Sequence, residues 1–448
     1  MNKEDNICLH LIGRTWERDS SGLFDYSSKE ITKYNSIIFN NTNIIREGKY
    51  IYQEIPELEK ENKEDLFFIK KQDEKYIIEN NVEFNMEQNE ENISKINNKL
   101  WYVIHNGNKK YFLTKNDIIK LGRIKFLIEE VSIYSGDTQY ELSIPNISKI
   151  SKINKQNSIL GNPFNLIKEV NSFIDIVNNN SEEKTLCKIC YTEEIDKENN
   201  PMVHLCKCKG GLNYAHFDCI KQWMKTKLQI KENEKKTVKS YYIPSFNCEI
   251  CKTPYPYKFK LLNENKIYEL IDIERPKCNY IILESLNQIK EKNENNKFIH
   301  VIKLINEEDI TIGRNNMADI KINDISVSRI HAKIKFNFSQ KSLEIKDLKS
   351  KFGTLVLIKD KVELKFSEGF FAQTGRTLLG IKVIKKEEAK INEDKYKNNI
   401  NEEEAISDKE INNNGINDNI EDNLNKEKVM IENNNQNENS NDNNMEIY

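Results

Sequence analysis

The chain has 448 residues, enough for two or three domains that each bury a core. Its 68 Lys and Arg against 71 Asp and Glu leave a net charge of -3, which removes any electrostatic case for nucleic acid as the main partner. A mean hydropathy of -0.72 implies a polar surface, and no apolar run approaches the ~20 residues of a membrane helix.

In chain order, residues 1–29 read as a poorly defined leader. Their opening, "MNKEDNICLHLIGRTW", places charges where a secretory signal needs its apolar stretch. An intracellular protein is expected, cytoplasmic or nuclear, neither secreted nor transmembrane. Residues 30–135 form a β-rich region, in which "LWYVIHNGNKKYFLTKNDIIKLGRIKFLIEEV", Leu100 to Val131, has strand-like runs punctuated by turn residues. Residues 136–180 read as a polar linker with room for one short helix.

The nine cysteines then cluster, with only Cys8 and Cys278 outside the span from Cys187 to Cys251. In a reducing compartment such a cluster points to metal ligation rather than disulfides. The ligands come in pairs: Cys187 and Cys190, Cys206 and Cys208, His216 and Cys219, Cys248 and Cys251. Zinc takes four tetrahedral ligands, so four pairs imply two ions. Both would be structural, because a closed shell leaves no position for a water nucleophile. His204 falls outside this ladder and reads as a surface or packing residue. "CIKQWMKTKLQIKENEKK" spaces Ile220, Trp223, Met224 and Leu228 as on a helix, so an extended helix is expected, looping back through "SYYIPSFNC".

The order and spacing, with Trp223 after Cys219 and the closing "CEICK", resemble the RING-CH zinc fingers over about Thr185 to Lys260, within a module placed at 181–262. The rival PHD finger usually carries a Trp two residues before its seventh ligand, where this chain has Phe246. The resemblance implies a small α+β cross-brace. The first and third pairs would hold one ion, and Cys206, Cys208, Cys248 and Cys251 the other. It implies a RING-type ubiquitin-protein ligase that recruits a ubiquitin-charged conjugating enzyme and contributes by positioning, with no catalytic residue of its own. The positions matching the family's docking groove are Ile189, Trp223 and Pro254, with Lys252 where many ligases put a basic residue that reaches toward ubiquitin. Ile189 and Trp223 fit the core of a small zinc finger as well.

Further on, "ADIKIND", "HAKIKF" and "SLEIKDL" alternate apolar and polar residues, the mark of half-buried strands in an all-β domain. Gly313-Arg314, the Ser328 to His331 S-x-x-H and "DLKSKFGT" resemble the forkhead-associated (FHA) domain, placed at 276–386. That family is a β-sandwich that reads phosphothreonine in its partners. An Arg fork suits two phosphate oxygens better than a Lys does, which gives Arg314 the leading role. Ser328, Arg329 and Lys351 would assist it, and His331 would brace the loop. Phe352 stands where the family usually has an Asn that grips the peptide backbone. Either the peptide is held differently or the domain is an interaction scaffold. "NDIIKLGRIKFLI" is similar to the closing strands of such a sandwich, so residues 30–135 read as a degenerate copy without a binding site.

Residues 387–448, rich in Asn and acidic groups, have too little to bury and read as a disordered tail. The chain is thus expected to be multidomain. Two functions fit: a ligase that docks phosphothreonine-containing substrates through its sandwich, or a non-catalytic zinc-binding adaptor. The membrane-bound branch of the RING-CH family is disfavoured, for want of a spanning segment.

Overall fold

The alternation in "AKIKFN" is realised as the strand Ala332–Asn337, buried and half-buried in strict turn, and the same logic builds most of the molecule. The computed structural model describes residues 6–18, 22–53, 63–80, 99–105, 110–135, 138–141, 168–170, 186–193, 199–210, 213–261, 266–286, 289–291, 294–305, 307–359 and 361–389. The expected tail beyond 389 and most of the expected 136–180 linker lie outside the described residues. Mostly β structure is present, as expected.

The strands make two sandwiches, and neither is built from one stretch of chain. In the first, Ile7–Trp16 lies between Ile31–Ile38 and Thr377–Lys385. A five-stranded sheet faces it, in the order Val362–Lys365, Lys75–Glu79, Glu64–Gln72, Thr42–Glu47, Tyr50–Gln53. The core joins Leu9, Ile44, Phe67 and Tyr76 from the N-terminal part to Leu364, Leu379 and Val383 from the C-terminal part.

In the second sandwich, Tyr280–Ser285 pairs with Glu294–Lys303 and with Ile124–Ser135. Its facing sheet runs Ile320–Lys321, Ile310–Gly313, Ala332–Asn337, Ser342–Asp347, Lys110–Leu113. Ile119, Phe126 and Ile128 share one core with Ile281, Ile312, Ile334 and Ile345. Each half of the chain thus closes the sandwich begun by the other. The two crossing segments pair with each other, Trp101–Val103 against Thr354–Leu357, so the inner sheets fuse into one. Ile7–Trp16 corrects the expectation of a poorly defined leader: its alternate residues are buried between two partner strands.

The expected long helix is also corrected. The helix α1 spans Phe217–Lys227 and ends at Leu228, whose ψ of 129° leaves the helical region. Asp218 in its first turn and Lys225 and Lys227 in its last suit the helix dipole. After it, Gln229–Glu232 and Val238–Pro244 form a hairpin, and Val238–Pro244 continues the second sandwich by pairing with Glu294–Lys303. "VKSYYIP" buries both of its faces, Val238 in the sandwich core and Tyr241 and Ile243 toward the cysteine-bearing region, and an open sheet edge offers such a strand a full ladder of hydrogen bonds. Cys187, Met224, Tyr241, Ile243 and Phe259 consequently share a core with Tyr280, Ile282, Ile299 and Val301. Below it, Lys258 pairs with Glu129 at 2.6 Å and with Glu269 at 3.3 Å. The cysteine-bearing region is joined to the sandwich as one packed body.

Lys120 and Lys125 face each other across their strands and are buried. Burial lowers Lys120 to about 7 and Lys125 to about 8; Lys120 donates to the Gly22 carbonyl at 2.5 Å. The folded values lie below the ordinary one near 10.5, so the unfolded chain binds more protons between about pH 7 and 10.5 and stability rises with pH across that window. The thermal midpoint should increase from pH 7 to pH 9, and Lys120→Met should flatten the rise.

Candidate functional site

The eight predicted ligands come together as two groups. Cys187, Cys190, His216 and Cys219 form one, and Cys206, Cys208, Cys248 and Cys251 the other, with the ligand atoms of each group within 4.8 Å of one another. This is the interleaved pairing. All these cysteines are free thiols.

Two similar turns supply half of the ligands. Tyr191 N donates to Cys187 O and Cys187 N to Thr192 O, at 2.9 and 3.0 Å. In the second turn Lys252 N donates to Cys248 O and Cys248 N to Thr253 O, each at 2.9 Å. The residue after each second cysteine is left-handed, with φ of 59° at Tyr191 and 58° at Lys252. That twist turns the two sulfurs of a C-x-x-C to one side. Ala215–His216 and the start of α1 bring His216 and Cys219 to the first turn. His216 Nδ1 lies 3.3 Å from Cys190 Sγ and 3.7 Å from Cys219 Sγ.

The donor set fits zinc. A tetrahedron with Zn–S bonds of about 2.3 Å has edges of about 3.8 Å, and Cys208 Sγ and Cys248 Sγ are 3.6 Å apart. Burial, with the neighbouring thiols, pushes Cys208 and Cys219 up to about 12. The hydroxyls of Thr192 and Thr253 pull Cys190 down to about 6 and Cys251 down to about 5. Crowded thiols of this kind ionise together only around a cation, which a divalent metal supplies. Two zinc ions, one for each group, are compatible with the site.

Sequence reasoning missed the groups around the ligands. Thr192 and Thr253 hydroxyls lie 3.1 and 3.3 Å from Cys190 Sγ and Cys251 Sγ. Lys188, carried by the first turn, reaches Cys206 of the other group at 3.2 Å and so links the two. The signal was present as a repeat, "CKICYT" and "CEICKT". His204 lies outside both groups, its ring 5.5 Å from that of Tyr214.

On the outer side of this region Ile189 is 40% exposed and Ile250 58%. Trp223 is half-buried, 5.7 Å from the Phe246 ring and 5.9 Å from Tyr255, with Lys227 Nζ 4.2 Å over its face. Pro254 is exposed and bridged to Asn247. Lys252 Nζ donates to the Glu249 carbonyl at 2.8 Å.

The other predicted residues lie on loops at one end of the second sandwich. Arg314 and Arg329 are exposed. Arg314 N donates to Ser328 O at 3.0 Å, so the first two loops are tied together. Ser328 Oγ accepts from Lys351 N at 3.0 Å, which keeps the hydroxyl proton available for an outside acceptor. His331 is buried beneath them. Because Ser328 N–H must donate to its Nδ1 (3.1 Å), the ring proton sits on Nε2 and is donated to Gly353 O, also at 3.1 Å. Burial lowers the His331 pKa, keeping that neutral tautomer. Lys351 Nζ is paired with Asp25 at 3.1 Å. Phe352 packs its ring 6.3 Å from that of Trp16, which explains the residue: this position contacts the first sandwich.

Comparison with known proteins agrees with this division. The RING-variant domain matches residues 187–251 and the FHA domain matches 310–365. The ERAD-associated E3 ubiquitin-protein ligase DOA10 of Saccharomyces cerevisiae is 31% identical over 21% of this chain and 6% of its own. The E3 ubiquitin-protein ligase MARCHF7 of Pongo abelii is 30% identical over 19% and 11%, and the probable E3 ubiquitin ligase SUD1 of Arabidopsis thaliana 25% over 18% and 6%. The chain therefore spans about a tenth or less of the length of these relatives. No solved structure matches. These relatives correct the expected location, neither secreted nor transmembrane: ligases of the MARCH and DOA10 type are membrane-associated. Among the described residues no helix is long and apolar enough to cross a membrane.

Proposed function

We propose that this chain, which carries a RING-variant domain and an FHA domain, is a RING-type E3 ubiquitin ligase that docks phosphorylated proteins. The carrying observation is the pair of interleaved Cys and His groups, each fit for zinc, beneath an exposed apolar surface at Ile189. In this reading a ubiquitin-charged conjugating enzyme rests on Ile189, Trp223 and Pro254, with Lys252 turned toward ubiquitin. Zinc supplies structure alone. The chain's own residues orient the conjugating enzyme's thioester toward a substrate lysine.

The FHA domain is the docking arm for a phosphothreonine-containing substrate. Arg314 and Arg329 supply charge to the phosphate, Ser328 donates its hydroxyl, and Lys351 joins them on releasing Asp25. The common core between cysteine-bearing region and sandwich favours this pairing, because a rigid spacing holds the target lysine at high local concentration. Ile189→Ala with Trp223→Ala in the full chain should lower autoubiquitination at least tenfold with unchanged zinc content. Equal and negligible activity of wild type and variant across a panel of conjugating enzymes would instead favour the non-catalytic adaptor.

A further inference from the structure

The loops that carry the proposed phosphate ligands are all held from outside the 310–365 segment. The first loop begins at Arg314 and rejoins the sheet at Asp319. One carboxylate oxygen of Asp319 accepts from the Thr311 amide and hydroxyl, at 2.9 and 2.8 Å. The other accepts from Asn233 Nδ2 at 3.0 Å. Asn233 belongs to the hairpin turn that follows α1, and its Oδ1 accepts from Thr237 N and Val238 N, each at 2.9 Å. One side chain therefore closes the turn on the zinc-binding side and reaches the base of the Arg314 loop.

The second loop, which leads to Ser328, is held by the Gly122-Arg123 turn of the N-terminal half. Arg123 N donates to Ser326 Oγ at 2.9 Å, and its guanidinium lies 3.4 Å from Asp324. Gly122 has φ of 60°, and a Cβ there would fall 2.5 Å from the Ser326 carbonyl oxygen, so only glycine allows this approach. The third loop is covered by Asp25 and Tyr26: beside the Asp25–Lys351 pair, Tyr26 N donates to Lys351 O at 3.3 Å.

We propose that the phosphate-reading surface is a composite site, in which Asn233 and Arg123 are positioning residues for the loops that carry Arg314 and Ser328. The proposal rests on the phosphopeptide reading given above and names what holds that site together. Ordering an exposed loop costs conformational entropy, and a bond from a rigid neighbour to a loop carboxylate lowers that cost before any ligand arrives. By linkage, whatever loosens the hairpin beside α1 also weakens phosphate binding, and a bound phosphate stiffens the hairpin.

Asn233→Asp in the zinc-loaded full chain is the discriminating variant. It keeps the acceptor that closes its own turn, removes the donor to Asp319 and sets a like charge against it. Amide hydrogen exchange without ligand is read at Arg314 and Asn315, whose N–H groups bond Ser328 O and Arg329 O at 3.0 Å. It should quicken about tenfold, as expected for one lost charge-assisted hydrogen bond, while the strand Ala332–Asn337 stays protected. Arg123→Gln keeps the backbone bond to Ser326 and removes only the exposed guanidinium pair with Asp324, so exchange at Ser326 and Val327 should quicken by about two- to fivefold. Unchanged exchange at these loops, or equal acceleration in the core strands, overturns the proposal. Retention on an immobilised phosphothreonine peptide pool is measured in parallel and should fall about tenfold in Asn233→Asp and about two- to fivefold in Arg123→Gln. Should wild type and Arg314→Ala be retained equally while loop exchange responds as expected, the positioning roles stand and the phosphopeptide reading falls.

Discussion

Replacing Cys248 by Ser should reduce the metal content from about two zinc ions per chain to about one and abolish autoubiquitination. Cys248 is buried in the all-cysteine group, and its sulfur lies against that of Cys208. A structural zinc site contributes roughly 10–16 kcal/mol of apparent binding free energy at neutral pH, more than the whole stability of an ordinary domain. The loss should not stay local. Tyr241, Ile243 and Phe259 pack in one core with Tyr280, Ile282, Ile299 and Val301 of the second sandwich, so unfolding of the cysteine-bearing region strips one side of those strands. Elemental analysis with a thermal melt checks both parts. Two zinc ions retained by the variant, or a melt identical to wild type, would contradict the assignment.

Phe126→Ala should strongly destabilise the sandwich that carries Arg314 and Ser328, although Phe126 stands far from both in sequence. The Phe126 side chain is 1% exposed in a core otherwise filled largely from 281–356. Truncating a buried Phe to Ala typically costs about 3–5 kcal/mol in lost transfer energy and cavity. The expected readout is a lower urea midpoint for the second sandwich, with phosphothreonine-peptide retention lost at a correspondingly lower urea concentration. A chain cut back to 276–386 lacks Leu113, Ile119, Leu121, Phe126 and Ile128 from that core. Its own strands from Val362 to Lys385 close the other sandwich in this structure, so the fragment would fold only by rewinding them. If Phe126→Ala leaves peptide retention and midpoint untouched, the exchanged arrangement is wrong.

Much of the site was legible before any tertiary contact was known. The eight candidate ligands stand out because metal chemistry demands particular side chains at short spacings, which survive in a sequence, while Arg314, Ser328 and His331 stood out only through their resemblance to the FHA motif. The helix–hairpin boundary was less legible. Ile220, Trp223, Met224 and Leu228 satisfy a helical period through a segment whose end is set by pairing of Gln229–Glu232 with Val238–Pro244, which is itself laid against Glu294–Lys303, far along the chain.

The sequence by itself determined which Cys and His side chains pair as candidate ligands, which face of each strand is apolar and where the cysteine-bearing region lies. Only the tertiary structure decided which strands share a core, that the two halves trade their closing strands, and that Phe352 packs toward Trp16. The reason is physical: a period-two pattern says that a strand has one face to bury, yet any other apolar sheet face satisfies it equally. The choice among partners is made by non-local packing and chain connectivity, which leave no local mark.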